Sequence, residues 1–239
     1  MKFDPAALRR HQDALCSMDA RGIVRWALGE FGPEGMALAS SFSHEDQVLT
    51  AMLAAEEKSA RIFTLDTGRL FQETYDVMQV SAEKYGLHYL AYAPEATELA
   101  ALVGEHGPNL FRQSVELRKA CCEVRKVRPL KKALHGLSAW MCGLRRGQSQ
   151  NREDLEAIVW DEANGLYKIS PLINWTEEET WRYVVEHRIP YNVLHHQGFR
   201  SIGCAPCTRA VSPGDDVRSG RWWWESPDHK ECGLHRKAG

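Results

Sequence analysis

Two cysteine pairs carry the clearest chemistry in this 239-residue chain, the adjacent Cys121-Cys122 and the spaced Cys204-x-x-Cys207. A C-x-x-C on a loop with Gly203 and Pro206 is a common half-site for zinc or for an iron–sulfur cluster, both of which take thiolate ligands. The adjacent pair is harder to use. Neighbouring side chains of a strand point to opposite faces, so two adjacent ligands to one centre require a helical or kinked backbone. Residues 117–134 have a pattern consistent with helix. Spacing alone leaves open a thioredoxin-like redox pair at Cys204 and Cys207, with Cys121 and Cys122 merely buried. The chain has seven cysteines, an odd number, so internal disulfides cannot use them all. Cys232, in Glu231-Cys232-Gly233-Leu234-His235, has His229, Lys230, His235 and Arg236 beside it. Positive surroundings raise the thiolate fraction that a nucleophile needs, although a spectator surface thiol has the same context. Cys16 and Cys142 lie in apolar patterns and read as small core residues.

Three polar segments follow strand-like runs and are candidates for holding an anion. Ser40-Ser41-Phe42-Ser43-His44-Glu45-Asp46 leads from an apolar run into a helical pattern. Such a junction aims backbone N–H groups and a positive helix end at one spot; an ordinary helix cap has the same signature. Leu65-Asp66-Thr67-Gly68 lies at the end of another predicted strand, as either a second wall of the same crevice or a capping turn. The run from Gly143 to Arg152 holds Arg145, Arg146 and Arg152 among amides and a hydroxyl, planar forks suited to phosphate or sulfate oxygens.

Charge distribution supports a compact anionic ligand. The whole chain has 30 Lys+Arg against 32 Asp+Glu, a net −2, which gives no global field for a nucleic acid or a membrane surface. Between Arg112 and Arg152, however, eleven basic residues face only Glu116 and Glu123. A basic block inside an otherwise acidic chain suits a small polyanion in a site, with a solvated helix face as the plain alternative for Lys131-Lys132.

The elements that must position these residues alternate. Helical patterns cover 5–18, 19–31, 45–57 and 71–85, and strand-like runs cover 36–42, 61–65, 87–93 and 138–144. This order predicts an α/β fold, a parallel sheet with helices on both faces. Asn164-Gly165 marks a turn between 157–160 and 166–169, and Thr176 with Glu179 forms a capping box for a helix to about His187. From residue 200 onward periodicity disappears. The expected organisation is an α/β nucleotide-binding domain over 1–199, including the first cysteine half-site, and a functional tail over 200–239. No signal-peptide core and no apolar run near ~18 residues is found, so a cytoplasmic location is expected, where clustered cysteines favour metal or catalysis over disulfides.

Taken in order, Ser40–Asp46, Leu65–Gly68, Cys121-Cys122-x-x-Arg125-Lys126, Gly143–Ser149, Cys204-x-x-Cys207, Arg221-Trp222-Trp223-Trp224 and Glu231–His235 resemble the assimilatory adenylyl-sulfate (APS) reductases of bacteria. The resemblance implies an adenine-nucleotide α-hydrolase-like (PP-loop-like) fold and a [4Fe–4S] cluster on Cys121, Cys122, Cys204 and Cys207. It implies Cys232 as the nucleophile, forming an S-sulfocysteine that thioredoxin, or glutaredoxin in its place, resolves to release sulfite. Ser40, Ser41, Leu65, Thr67 and Gly143 would line the nucleotide site, and Lys126, Arg145, Arg146, Arg218 and Arg221 would face the phosphosulfate. Relatives dedicated to the 3′-phosphorylated substrate (PAPS) generally lack the four cluster cysteines, which favours APS. The family usually has Gly where this chain has Ser43, which bears on the tightness of the first loop. The competing readings are a PAPS reductase, a zinc-stapled nucleotide-binding module without redox chemistry, and an ATP-using adenylating enzyme. The pattern leaves oligomeric state, a homo-oligomer included, open.

Overall fold

A computed structural model describes residues 3–148 and 155–226. Ser149, Arg152 and Cys232 lie outside the described residues. Contacts divide the chain into two compact units, with the first containing the described residues up to Thr64, Asp76–Leu90 and Gly136–Asn192. The second contains Leu65–Tyr75, Ala91–His135 and the described chain from Val193. This division differs from the boundary expected at residue 200, because segments from the middle of the chain join the second unit.

The central sheet is mostly parallel. Its strands are β1 (Met36–Ala39), β2 (Arg61–Leu65), β3 (Tyr89–Tyr92), β4 (Ala139–Met141), β5 (Ile158–Asp161) and β6 (Leu166–Ile169), in the order β3-β2-β1-β4-β6-β5. β1 pairs in parallel with β2 on one side and β4 on the other, and β4 pairs in parallel with β6. β5 is antiparallel to β6, across the turn at Asn164-Gly165, where Gly165 takes φ +71°. The chain therefore reverses its direction of growth between β1 and β4. In open α/β sheets the crevice beyond such a reversal is where ligands bind.

In the first unit the helices are α1 (Pro5–Leu15), α2 (Ala20–Gly35), α3 (His44–Glu56) and α8 (Glu177–Glu186), and α4 (Gln72–Tyr85) contributes its larger part. Asp19 caps α2 by accepting from Gly22 N–H at 2.6 Å, and the helix breaks at Gly32, φ +71°, before Pro33. Thr176 and Glu179 form the expected capping box on α8. Leu38, Val48, Leu49, Leu53, Ala139, Met141 and Ile169 form the centre of an aliphatic core. β4 is shorter than the expected 138–144, because the Gly143 N–H leaves the ladder for the Asp46 carboxylate.

The second unit is built on α5 (Ala96–His106), α6 (Val115–Cys122) and α7 (Arg128–Leu134). One π-turn, Glu123–Val127, joins α6 to α7. Pro129, in the first turn of α7, has no N–H to donate backward, which suits a widened turn immediately before it. α5 was not evident in the sequence; its cap position, Glu95, makes no side-chain cap bond. Among the described residues no helix is long and apolar enough to cross a membrane.

Candidate functional site

The first unit brings the segments after β1 and β4 together. Ser43 caps α3 with φ −64°, accepting from Asp46 N–H, so the position requires no glycine; the positive φ of this loop belongs to the buried Phe42, at +60°. Ser40 continues the sheet by donating its N–H to Phe63 C=O at 2.8 Å, and its hydroxyl accepts from Phe42 N–H. Ser41, itself exposed, reaches the buried Asp46: its N–H and hydroxyl both donate to Asp46 Oδ2, at 2.8 and 2.7 Å. Gly143 donates to Asp46 Oδ1 at 3.0 Å.

Arg145 departs from the open anion fork expected of it. Its Nε and Nη2 donate to Glu45 Oε1 at 3.1 and 2.9 Å, and the pair is buried. Gln148 donates to the same oxygen at 2.8 Å and accepts from Arg145 N–H. Burial would raise the Glu45 carboxyl, but His44, Arg145 and Gln148 together hold it below its ordinary value. Burial lowers His44, which stacks on Trp181 with ring centroids 4.5 Å apart. Arg146 bonds Leu155 C=O and Asn174 Oδ1, so it too spends donors on its own unit.

The second unit holds a cavity lined by all four candidate ligands, Cys121, Cys122, Cys204 and Cys207. Lys126, Arg125, Arg118, Arg69 and Arg221 complete its wall with the rings of Phe111 and Trp222. Cys121 and Cys122 end α6 at the π-turn, the kinked helical backbone that adjacent ligands require. The helix also sets their neighbours. Arg125 lies beside Cys121 and Arg118 beside Cys122 in the cavity wall, each four residues away on the same face, and the Arg125 charge favours the Cys121 thiolate. Burial pushes the Cys207 thiol up to about 12, reinforced by Cys204 and opposed by Lys126 and Arg221. Burial raises Cys121 as well. Among the described residues no three His, Cys, Asp or Glu side chains gather closely enough to hold one metal ion; the thiols surround a space instead.

A Cβ on Gly203 would run into the Arg221 guanidinium, which therefore rests on bare backbone there, and Arg221 Cζ lies over Trp222, 4.9 Å from the ring centroid. Arg218 is in the preceding turn, where its C=O accepts from Arg221 N–H at 2.9 Å. Leu65 ends β2, and Thr67, two residues on, is a neighbour of the cysteines. Its hydroxyl is 3.3 Å from Cys204 Sγ, and its C=O accepts from Arg125. Of the two remaining cysteines, Cys142 is buried as expected, but Cys16 is exposed, since it follows the last residue of α1.

Sequence reasoning overlooked Asp46, Glu45, Arg118 and Arg125 as organisers. The four-residue spacings from Arg118 to Cys122 and from Cys121 to Arg125 were available signals. Gly143, which joins Ser41 on Asp46, and Arg145, which pairs with Glu45, lie about a hundred residues away and left no local mark.

Residues 35–210 match the phosphoadenosine phosphosulfate reductase domain. A protein named adenosine 5′-phosphosulfate reductase from Allochromatium vinosum is 52% identical over 204 residues, 85% of this chain and 80% of the relative. The crystal structure of phosphoadenylyl-sulfate (PAPS) reductase from Candida auris, a phosphate complex, superposes with a TM-score of 0.75 at 25% identity, covering 88% of this chain and 99% of that one. An FMN adenylyltransferase from Candida glabrata shares the fold alone, with a TM-score of 0.56 at 15% identity over 88% of this chain and 68% of the other. By the extent of the domain match and the identity to that bacterial relative, this chain belongs to the phosphoadenosine phosphosulfate reductase family.

Proposed function

We propose that this chain reduces adenosine 5′-phosphosulfate to sulfite and AMP with thioredoxin as reductant. The cavity of the second unit carries this reading, because it puts four cysteines and a cationic wall in one place. Four thiols around a space suit a [4Fe–4S] cluster, in which each iron takes one cysteine, better than a lone zinc ion, whose ligands converge on a point. When bound, the cluster supplies a fixed electrostatic and structural element; the electrons of the reaction come from thiols. The choice of APS over PAPS is supported by the name of the relative at 52% identity, against 25% for the protein titled a PAPS reductase.

Cys232, on the segment following residue 200, acts as the nucleophile. Its thiolate attacks the sulfur of the sulfuryl group, the S–O bond to the phosphate breaks, and AMP leaves with that electron pair. An S-sulfocysteine remains on the enzyme. One thiolate of thioredoxin then attacks the Cys232 sulfur and expels sulfite, and the second resolves the mixed disulfide, so the two thiols are oxidised as the sulfur is reduced. Lys126, Arg218 and Arg221 neutralise the phosphosulfate so that an anionic thiolate can approach, and they stabilise charge on the departing phosphate. Ser40, Ser41, Leu65 and Gly143 belong to the nucleotide side of this reading, with Arg145 and Arg146 fixing the loop after β4. A reducing cytoplasm is the setting this thiol chemistry requires.

The test is sulfite release with reduced thioredoxin and either nucleotide. APS should be turned over, Cys232→Ser should abolish release while retaining AMP binding, and strong preference for PAPS would overturn the substrate assignment.

A further inference from the structure

The segments after β1 and β4 meet on one buried carboxylate, Asp46, which is 6% exposed. Three donors converge on it: the N–H and hydroxyl of Ser41 on Oδ2 and the N–H of Gly143 on Oδ1. The backbone at Gly143 presses so close that a Cβ there would stand 2.7 Å from Asp46 Oδ1 and 2.7 Å from Glu45 Cβ. A helix cap does not need this arrangement, since Ser43 already caps α3. An ionised carboxylate accepts on both oxygens, whereas an amide would present N–H₂ donors to one of these sites.

We propose that Asp46 is a positioning residue for the nucleotide, holding the loops after β1 and β4 in the one register that receives it. The inference rests on the proposed nucleotide-binding function. Burial pushes Asp46 up to about 6, reinforced by Glu45 and opposed by its three donors. The surrounding charged and titratable groups are His44 and Glu45 on α3, and Cys142 and Arg145 after β4. Lys168 on β6 acts on Cys142, and Glu177 on α8 acts on His44. Because the folded value lies above the ordinary one, the folded unit binds the extra proton between about pH 4 and pH 6. Asp46 therefore contributes less to stability as pH rises through that window. The ionised form costs stability and keeps the loops joined; protonation turns one acceptor into a donor and frees a loop.

The experiment is calorimetric titration of AMP into the full chain and into Asp46→Asn between pH 5 and 8, with thermal unfolding of both. Wild-type affinity should weaken about tenfold more from pH 7.5 to 5 than titration of the AMP phosphate itself, with its second pKa of about 6, accounts for, the loss expected for one hydrogen bond to a charged group. Asp46→Asn should unfold cooperatively, bind about tenfold more weakly at pH 7.5, and keep only the step of the AMP phosphate. Ser41→Ala carries the test if the Asn variant does not fold. Removing a donor should move the step to higher pH, and a step that stays in place would overturn the proposal. Wild-type affinity in Asp46→Asn, or a pH dependence there equal to that of the wild type, as His44 or Glu45 would produce, also overturns it. Absence of AMP binding by the wild type at any pH overturns the functional reading together with this inference.

Discussion

The two units are held together by different means. The first has a broad aliphatic core, Leu38, Val48, Leu49, Leu53 and Met141 among it, and its parallel strands are satisfied by their ladders. In the second, a buried cluster of Leu110, Phe111, Cys121, Cys207 and Trp222 draws part of its apolar content from candidate ligands. Beneath it Arg118, 1% exposed, makes two bonds to Glu225 at 3.0 and 2.8 Å and lies 4.8 Å from the Trp222 ring centroid. The first unit keeps its buried charge, Asp46 and the Glu45–Arg145 pair, at the loops after β1 and β4 and apart from its aliphatic core, whereas the second sets thiols and an ion pair against its apolar cluster, a costly choice unless those groups serve a ligand.

Changes of decreasing severity can break this contrast. Cys204→Ala should abolish the cluster and sulfite release. Amide exchange should quicken in residues 91–135 while β1 and β4 keep their protection, and equal loss in both units would erase the distinction. Arg118→Ala should cost about 3–5 kcal/mol in denaturant unfolding, because it leaves Glu225 buried without its partner. The double variant Arg118→Met, Glu225→Leu should recover most of that loss. In the first unit Gly143→Ala should cost about 1–3 kcal/mol, the ordinary range for overpacking, as the Glu45 and Asp46 side chains are forced away. Thr176→Ala removes half of the capping box and should cost about 1 kcal/mol, read as a shift in the unfolding midpoint with an unchanged slope.

The contrast also governs what could be read from the sequence. In the first unit apolar runs, Asp19, Asn164-Gly165 and the Thr176–Glu179 box gave the elements, since each signal lies within a few residues of what it controls. The helix carrying Cys121 and Cys122 was legible for the same reason. The basic block was visible as charge but not as structure. Arg118 pairs with Glu225 and Arg145 with Glu45 in the interior, and Arg128 with Glu98 and Lys132 with Glu95 at the surface, partners 30 to 107 residues distant, so much of the apparent field is neutralised by charges that only folding brings near. Lys126 and Arg221 could be named from motif position, but the cavity they share with the cysteines is a property of the folded chain.

The most direct test of the central claim is an iron and acid-labile sulfide assay, with a visible spectrum, on protein purified without oxygen. Four irons and four sulfides per chain with broad visible absorption, unchanged in Cys232→Ser and lost in Cys204→Ala, are the expected result. A colourless protein containing zinc, still turning over APS, would contradict the account.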